Sequence, residues 1–259
     1  MKKLMLVQCI VLSAIVGSIQ AAAWWTDAGS DHLWSNSDNW RDDSSFKPPV
    51  SSDSTFIRFT DMVSGGIGPL VEDGIDAVAR NLSFEVGAGS LIEMTMTGGS
   101  LTLYEAGATN VYLRLGAGAS TGKAVLNMSG GVLTVRQQDN GGGGLVRVGS
   151  GYGGEIHMSG DALIDAFDLA IDPTFGLVDL RDNATIILGG DRTSSIQTYM
   201  DVGTLRGYGT AENIRYDYDS LNPGKTTIWT VPEPSTLMLL GLGGLAFSVK
   251  RRKQSKQNF

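Results

Sequence analysis

An all-β body, wound as a right-handed parallel β-helix of about five coils between Phe56 and Gly209, is the fold this sequence predicts. Three observations predict it. A motif of alternating apolar residues running into a small-residue turn recurs at intervals of 22 to 32 residues, a second short strand precedes each copy, and glycine outnumbers proline 35 to 7. Alternation at period two marks a strand with one buried face. A repeat of this length buries that face only by stacking on its neighbours. Short strands with glycine turns also fit an antiparallel β-sandwich, because periodicity does not settle strand direction.

The elements follow in chain order. Lys2 and Lys3 precede an apolar stretch from Leu4 to Ile19, and Ala21-Ala22-Ala23 offers small residues for cleavage, so residues 1–23 read as a secretory signal removed by signal peptidase. Residues 24–55 are a tryptophan-rich cap, with Trp24, Trp25, Trp34 and Trp40 crowded together to cover the open end of a stack. Residues 56–210 hold the repeats. Their turn motifs lie at 93–103, 126–135, 156–164 and 178–187, with Met96, Met128, Met158 and Leu180 at equivalent positions, and the companion strands lie at 84–87, 111–116, 145–149 and 167–171. Residues 211–230 are closing strands and linker. Residues 231–259 form a tail with a hydrophobic helix at 236–249.

Charge and cysteine usage narrow the function. Cys9 is the only cysteine and lies inside the signal, so the mature body has neither a disulfide nor a thiolate ligand or nucleophile. Between Trp24 and Thr230 there are 13 basic and 26 acidic side chains, a net charge of −13. Such a surface repels phosphate backbones and speaks against nucleic acid as a partner.

The tail has three parts in a fixed order. Pro232, Glu233 and Pro234 set an extended, accessible segment because each proline fixes φ and removes a donor. The 14 residues from Thr236 to Val249 follow; as a helix they reach about 21 Å against about 30 Å of hydrocarbon. Lys250, Arg251, Arg252 and Lys253 close the run, and the positive-inside rule keeps them cytoplasmic. This order resembles the PEP-CTERM sorting signal. The resemblance implies that Pro232, Glu233 and Pro234 are recognised by exosortase in a Gram-negative bacterium that makes extracellular polysaccharide. It implies transient insertion in the inner membrane, followed by release to the cell surface or extracellular matrix. The repeats resemble the autotransporter-like and pectate-lyase-like solenoids of bacterial surface proteins, and the Trp-rich opening agrees with that comparison.

The sequence offers no catalytic, metal or cofactor site. Asp161, Asp165, Asp168 and Asp172 are the densest acidic group, but they lack the Gly-His-Gly and Arg-Ile-Lys segments that polygalacturonases display, and they read as a solvated corner. His32 and His157 stand far apart with no spaced ligand partner, and His157 occupies an outward slot between Ile156 and Met158. Gly141 to Gly144 is a corner rather than a phosphate loop, because no Lys-Ser or Lys-Thr follows it. Asp217-Tyr218-Asp219 matches no calcium-binding repeat. Trp34 and Trp40 are candidate glycan contacts because indole stacks on sugar rings, although covering the core is the competing use. The expectation is a non-enzymatic surface or matrix protein, associated with exopolysaccharide. A polysaccharide-degrading enzyme and a glycan-binding adhesin are the alternatives.

Overall fold

The computed structural model describes residues 22–42, 48–50, 53–58, 62, 67–104, 111–118, 121–136 and 143–231. The segment 1–21, the sorting residues Pro232, Glu233 and Pro234, the hydrophobic run 236–249 and the cluster Lys250–Lys253 lie outside the described residues.

Strands β1 (Ala22–Trp25) and β2 (Trp40–Asp42) open the chain. Five three-strand repeats follow. They are β3 (Ser54–Arg58), β4 (Ile67–Val71) and β5 (Asp76–Ala79); then β6 (Asn81–Glu85), β7 (Leu91–Met96) and β8 (Ser100–Leu103); then β9 (Val111–Ala117), β10 (Lys123–Met128) and β11 (Val132–Val135). The fourth repeat is β12 (Gly144–Val148), β13 (Gly153–Met158) and β14 (Leu163–Ala166), and the fifth is β15 (Asp168–Ile171), β16 (Gly176–Leu180) and β17 (Thr185–Gly189). Helix α1 (Thr193–Asp201), β18 (Leu205–Gly207), β19 (Ile214–Tyr218) and β20 (Lys225–Thr230) complete the described chain.

Each repeat places one strand in each of three sheets, so every sheet collects every third strand. Within the repeats all pairing is parallel, which rules out the antiparallel sandwich. The expected equivalences appear as register: Met96 faces Met128, Met128 faces Met158, and Met158 faces Leu180. Inward residues of the three sheets, among them Ile92, Met94, Leu126, Leu133, Val146, Ile164 and Leu188, form one continuous buried core. Each strand exposes the alternate residues, as β13 shows with Glu155 and His157 outward and Ile156 and Met158 buried. The corners between second and third strands are tight. Gly99 and Gly131 take left-handed φ values of +62° and +80°, and a Cβ at either would press on backbone oxygens of the preceding repeat, so only glycine fits there.

The two ends depart from the repeat. At the start, β1 pairs antiparallel with β2 and parallel with β3, and Trp25, Trp34 and Trp40 pack edge to face with centroids 5.0 and 4.7 Å apart. At the finish, α1 interrupts the strand pattern expected through residue 210. Its apolar residues Ile196, Tyr199 and Met200 fall at i, i+3 and i+4 and pack on the core, whereas the remaining positions are largely polar. That spacing favours a helix over the alternation a strand requires. After α1, β18 extends the second sheet parallel to β16, and β19 and β20 form a hairpin that joins the third sheet antiparallel to β17.

Candidate functional site

The sorting residues follow directly from a strand fixed on both sides. β20 lies between β17 and β19, Ile228 is fully buried, and Trp229 faces Thr185 and Arg215. Its last residue, Thr230, donates through Oγ1 to the Asp182 carbonyl at 3.0 Å. The Val231 amide then donates to the Asn213 carbonyl at 2.9 Å. Pro232 is the next residue, so backbone anchoring runs to the residue before the Pro-Glu-Pro segment. The stretch 211–230 ends in β20, which is paired on both sides.

Trp34 and Trp40 do not offer their rings to a sugar. They are 2% and 0% exposed, and Trp40 Nε1 donates to the Trp34 carbonyl at 2.7 Å. Both indoles are buried in the cap, where Trp40 packs edge to face against Trp25 and Trp34. The glycan-contact expectation at these residues is corrected accordingly. Trp25 is buried with them and donates through Nε1 to the Ile67 carbonyl at 2.9 Å.

The acidic group at residues 161–172 is engaged rather than merely solvated. Asp165 pairs with Arg136 and lies 3.8 Å from Lys225, Asp168 lies 3.4 Å from Arg192, and Asp161 accepts from Asn183 at 2.9 Å. Asp172 accepts from the Thr174 and Phe175 amides and so closes a turn. These carboxylates tie neighbouring repeats and the closing hairpin together.

His157 faces outward as its strand position requires, and its Nε2 is 3.0 Å from Glu155 Oε2. It borders a cavity of about 310 Å³ lined by Thr95, Asn127, Ser129, Ser159 and Arg181 among others. Burial pushes the Glu155 carboxyl up, but hydrogen bonds and charge from Lys123 and His157 outweigh it and hold the group below its ordinary value. His32 is hydrogen-bonded through Nδ1 to the buried Asp27 at 2.8 Å, a pair inside the cap that residue spacing did not signal. Asp217 accepts from the Ser220 hydroxyl and from the Ser220 and Leu221 amides, which hold its carboxyl below the usual range; it shapes the hairpin loop. Among the described residues, no group of three or more His, Cys, Asp or Glu is arranged to hold a metal ion.

The structure also brings together residues not singled out as a site. On the outer face of the first sheet, Tyr112, Arg114, Leu145 and Arg147 line a cavity of about 280 Å³. The signal was present in the companion strands, where Tyr-Leu-Arg and Leu-Val-Arg repeat the same outward positions.

Fold and terminus together define a class: a β-rich, mostly parallel body joined without a free linker to a C-terminal address. The family model for the PEP-CTERM protein-sorting motif matches residues 230–253, beginning at the last residue of β20. That motif implies export to the cell surface and processing by exosortase. No curated protein and no solved structure matches the chain. Among the described residues, no helix is long and apolar enough to cross a membrane.

Proposed function

We propose that this chain is a non-enzymatic structural protein of the cell surface or extracellular matrix in a Gram-negative bacterium. Its body is a right-handed parallel β-helix of five coils, a rigid spacer associated with exopolysaccharide. The observation that carries this reading is the junction at Val231: the stacked body is anchored to within one residue of the sorting motif, so the whole folded unit is the cargo. The engagement of Asp165 and Asp168 by Arg136, Lys225 and Arg192 supports a structural use of the carboxylates that an enzyme reading would need.

In this reading signal peptidase removes residues 1–23. Cleavage there leaves Trp24 and Trp25 to hold the β1 pairing with Arg41, Trp40 and Phe56. The tail then rests transiently in the inner membrane until exosortase acts at Pro232 to Pro234. Intact mass of the protein from its native host, compared across cell-surface, medium and inner-membrane fractions, tests this. The expected species begins near Trp24 and ends near Pro232 to Pro234. A full-length C-terminus held in the inner membrane overturns it.

A further inference from the structure

In register, β9 and β12 place Tyr112 beside Leu145 and Arg114 beside Arg147 on the outer face of the first sheet. Adjacent strands are about 4.8 Å apart, so two guanidinium-bearing side chains leave the sheet side by side. Like charges directly opposite one another destabilise a sheet pair. Arg114 lies over the Tyr112 ring at 5.9 Å, and neither arginine has an ion-pair partner among the described residues. Lys123, Arg136, Arg181, Arg192 and Lys225 are each paired with a carboxylate, whereas Arg206 and Arg215 donate to backbone carbonyls. In a body with twice as many acidic as basic side chains, the two arginines facing one hollow have no carboxylate partner among the described residues. The acids on the flanking strands are engaged: Asp168, beside Leu145, is claimed by Arg192 at 3.4 Å, and Glu85, two residues from the Ser83 that faces Arg114, has a partner of its own.

We propose that Tyr112, Arg114, Leu145 and Arg147 form a subsite for an acidic polysaccharide, holding one uronate-bearing sugar ring. Paired guanidiniums present planar donor forks that match a carboxylate. The Tyr112 ring and the Leu145 side chain supply the apolar surface on which the C–H face of a sugar packs. The hollow of about 280 Å³ sits just below the range of small-molecule sites, which suits a single ring of a longer chain. A nucleic acid also carries anions, but its dense phosphate charge is repelled by a body of net charge −13, whereas a glycan with one carboxylate per ring is tolerated. The subsite gives the exopolysaccharide association its chemistry and rests on that reading for its physiological setting.

The test is binding of the full chain, purified in detergent, to oligogalacturonate, to the same oligomer with its carboxylates reduced to alcohols, to a sulfated dextran and to single-stranded DNA. The expected result is saturable retention of oligogalacturonate that weakens with salt, little retention of the reduced oligomer, and loss of about tenfold in affinity for either Arg114→Gln or Arg147→Gln. Arg215→Gln changes the net charge equally on β19 of the third sheet, where the arginine is exposed and has no carboxylate partner among the described residues, and keeps the affinity. Equal loss in Arg215→Gln, preference for DNA or sulfated dextran, or unchanged binding in both arginine variants overturns the subsite. Unchanged melting of the outward-facing variants excludes unfolding as the cause. Binding is read in vitro, so its failure is distinct from a failure of sorting, which the mass measurement reports.

Discussion

Lys123 Nζ lies 2.6 Å from Glu155 Oε1, joining β10 to β13 across two repeats of the stack. His157 Nε2 sits 3.0 Å from the other carboxylate oxygen, so Glu155 is held from both sides. Its carboxyl is depressed in the folded protein, and the stabilisation is therefore fully present above the ordinary glutamate value of 4.5. It is lost as pH falls through the lower folded value. Lys123 is about half exposed, which limits the contribution to about 1 kcal/mol or less. Thermal melts across the acid range are expected to show a shallower decline for Glu155→Gln than for the unaltered chain. Parallel curves would show that the carboxylate carries no linked stability.

Met128 illustrates how the core is held. It is 1% exposed and lies in register between Met96 and Met158, so truncation leaves a void in the middle of a continuous stack. Met128→Ala is expected to cost about 2 to 5 kcal/mol, whereas Met128→Leu, which nearly conserves volume, costs less than about 1.5 kcal/mol. Denaturant unfolding of the two variants checks the difference; equal costs would show that packing at this rung is loose.

The equivalence of Met96, Met128, Met158 and Leu180 was legible in the sequence because each stands in the same alternation before the same small-residue corner. Periodicity carries that information, since inward residues must be apolar wherever they stack. It carries none about the ends. Residues 193–201 hold three apolar positions on one helical face, and their context of strands obscured a spacing that favours α1. The tryptophans at 34 and 40 could be read as ring surfaces or as plugs, and only burial distinguishes the two. The Arg114 and Arg147 pairing needed register, because the two residues are 33 positions apart and the repeated outward positions become neighbours only when β9 and β12 pair.

Trp40 tests the cap. Trp40→Phe retains an aromatic plug but removes the Nε1–H that donates to the Trp34 carbonyl, leaving a buried acceptor unpaired. The expected cost is about 1 to 3 kcal/mol. Trp40→Ala removes the edge-to-face contacts with both Trp25 and Trp34 as well and is expected to cost about 3 to 5 kcal/mol. Melting temperatures of the two variants against the unaltered chain give the order. A Trp40→Phe protein as stable as the original would show that the indole hydrogen bond adds nothing to the cap.

The junction at Val231 sets the geometry in which the tail is processed. Thr230 bonds to Asp182 and Val231 to Asn213, so a protease acting near Pro232 meets a folded edge within a few residues. A flexible Gly/Ser segment of about six residues spans roughly 13 Å on average, enough to hold the body off the processing enzyme. Inserting such a segment between Val231 and Pro232 leaves the motif and the body unchanged. If the folded edge hinders access, the processed fraction at the cell surface rises, and the mature mass increases by the inserted residues when cleavage falls within or after Pro232 to Pro234. Quantifying processed and unprocessed chains by intact mass reads the result. A fall in processing would instead show that the enzyme recognises the edge formed by β20 together with the motif, and that the short junction is part of the signal.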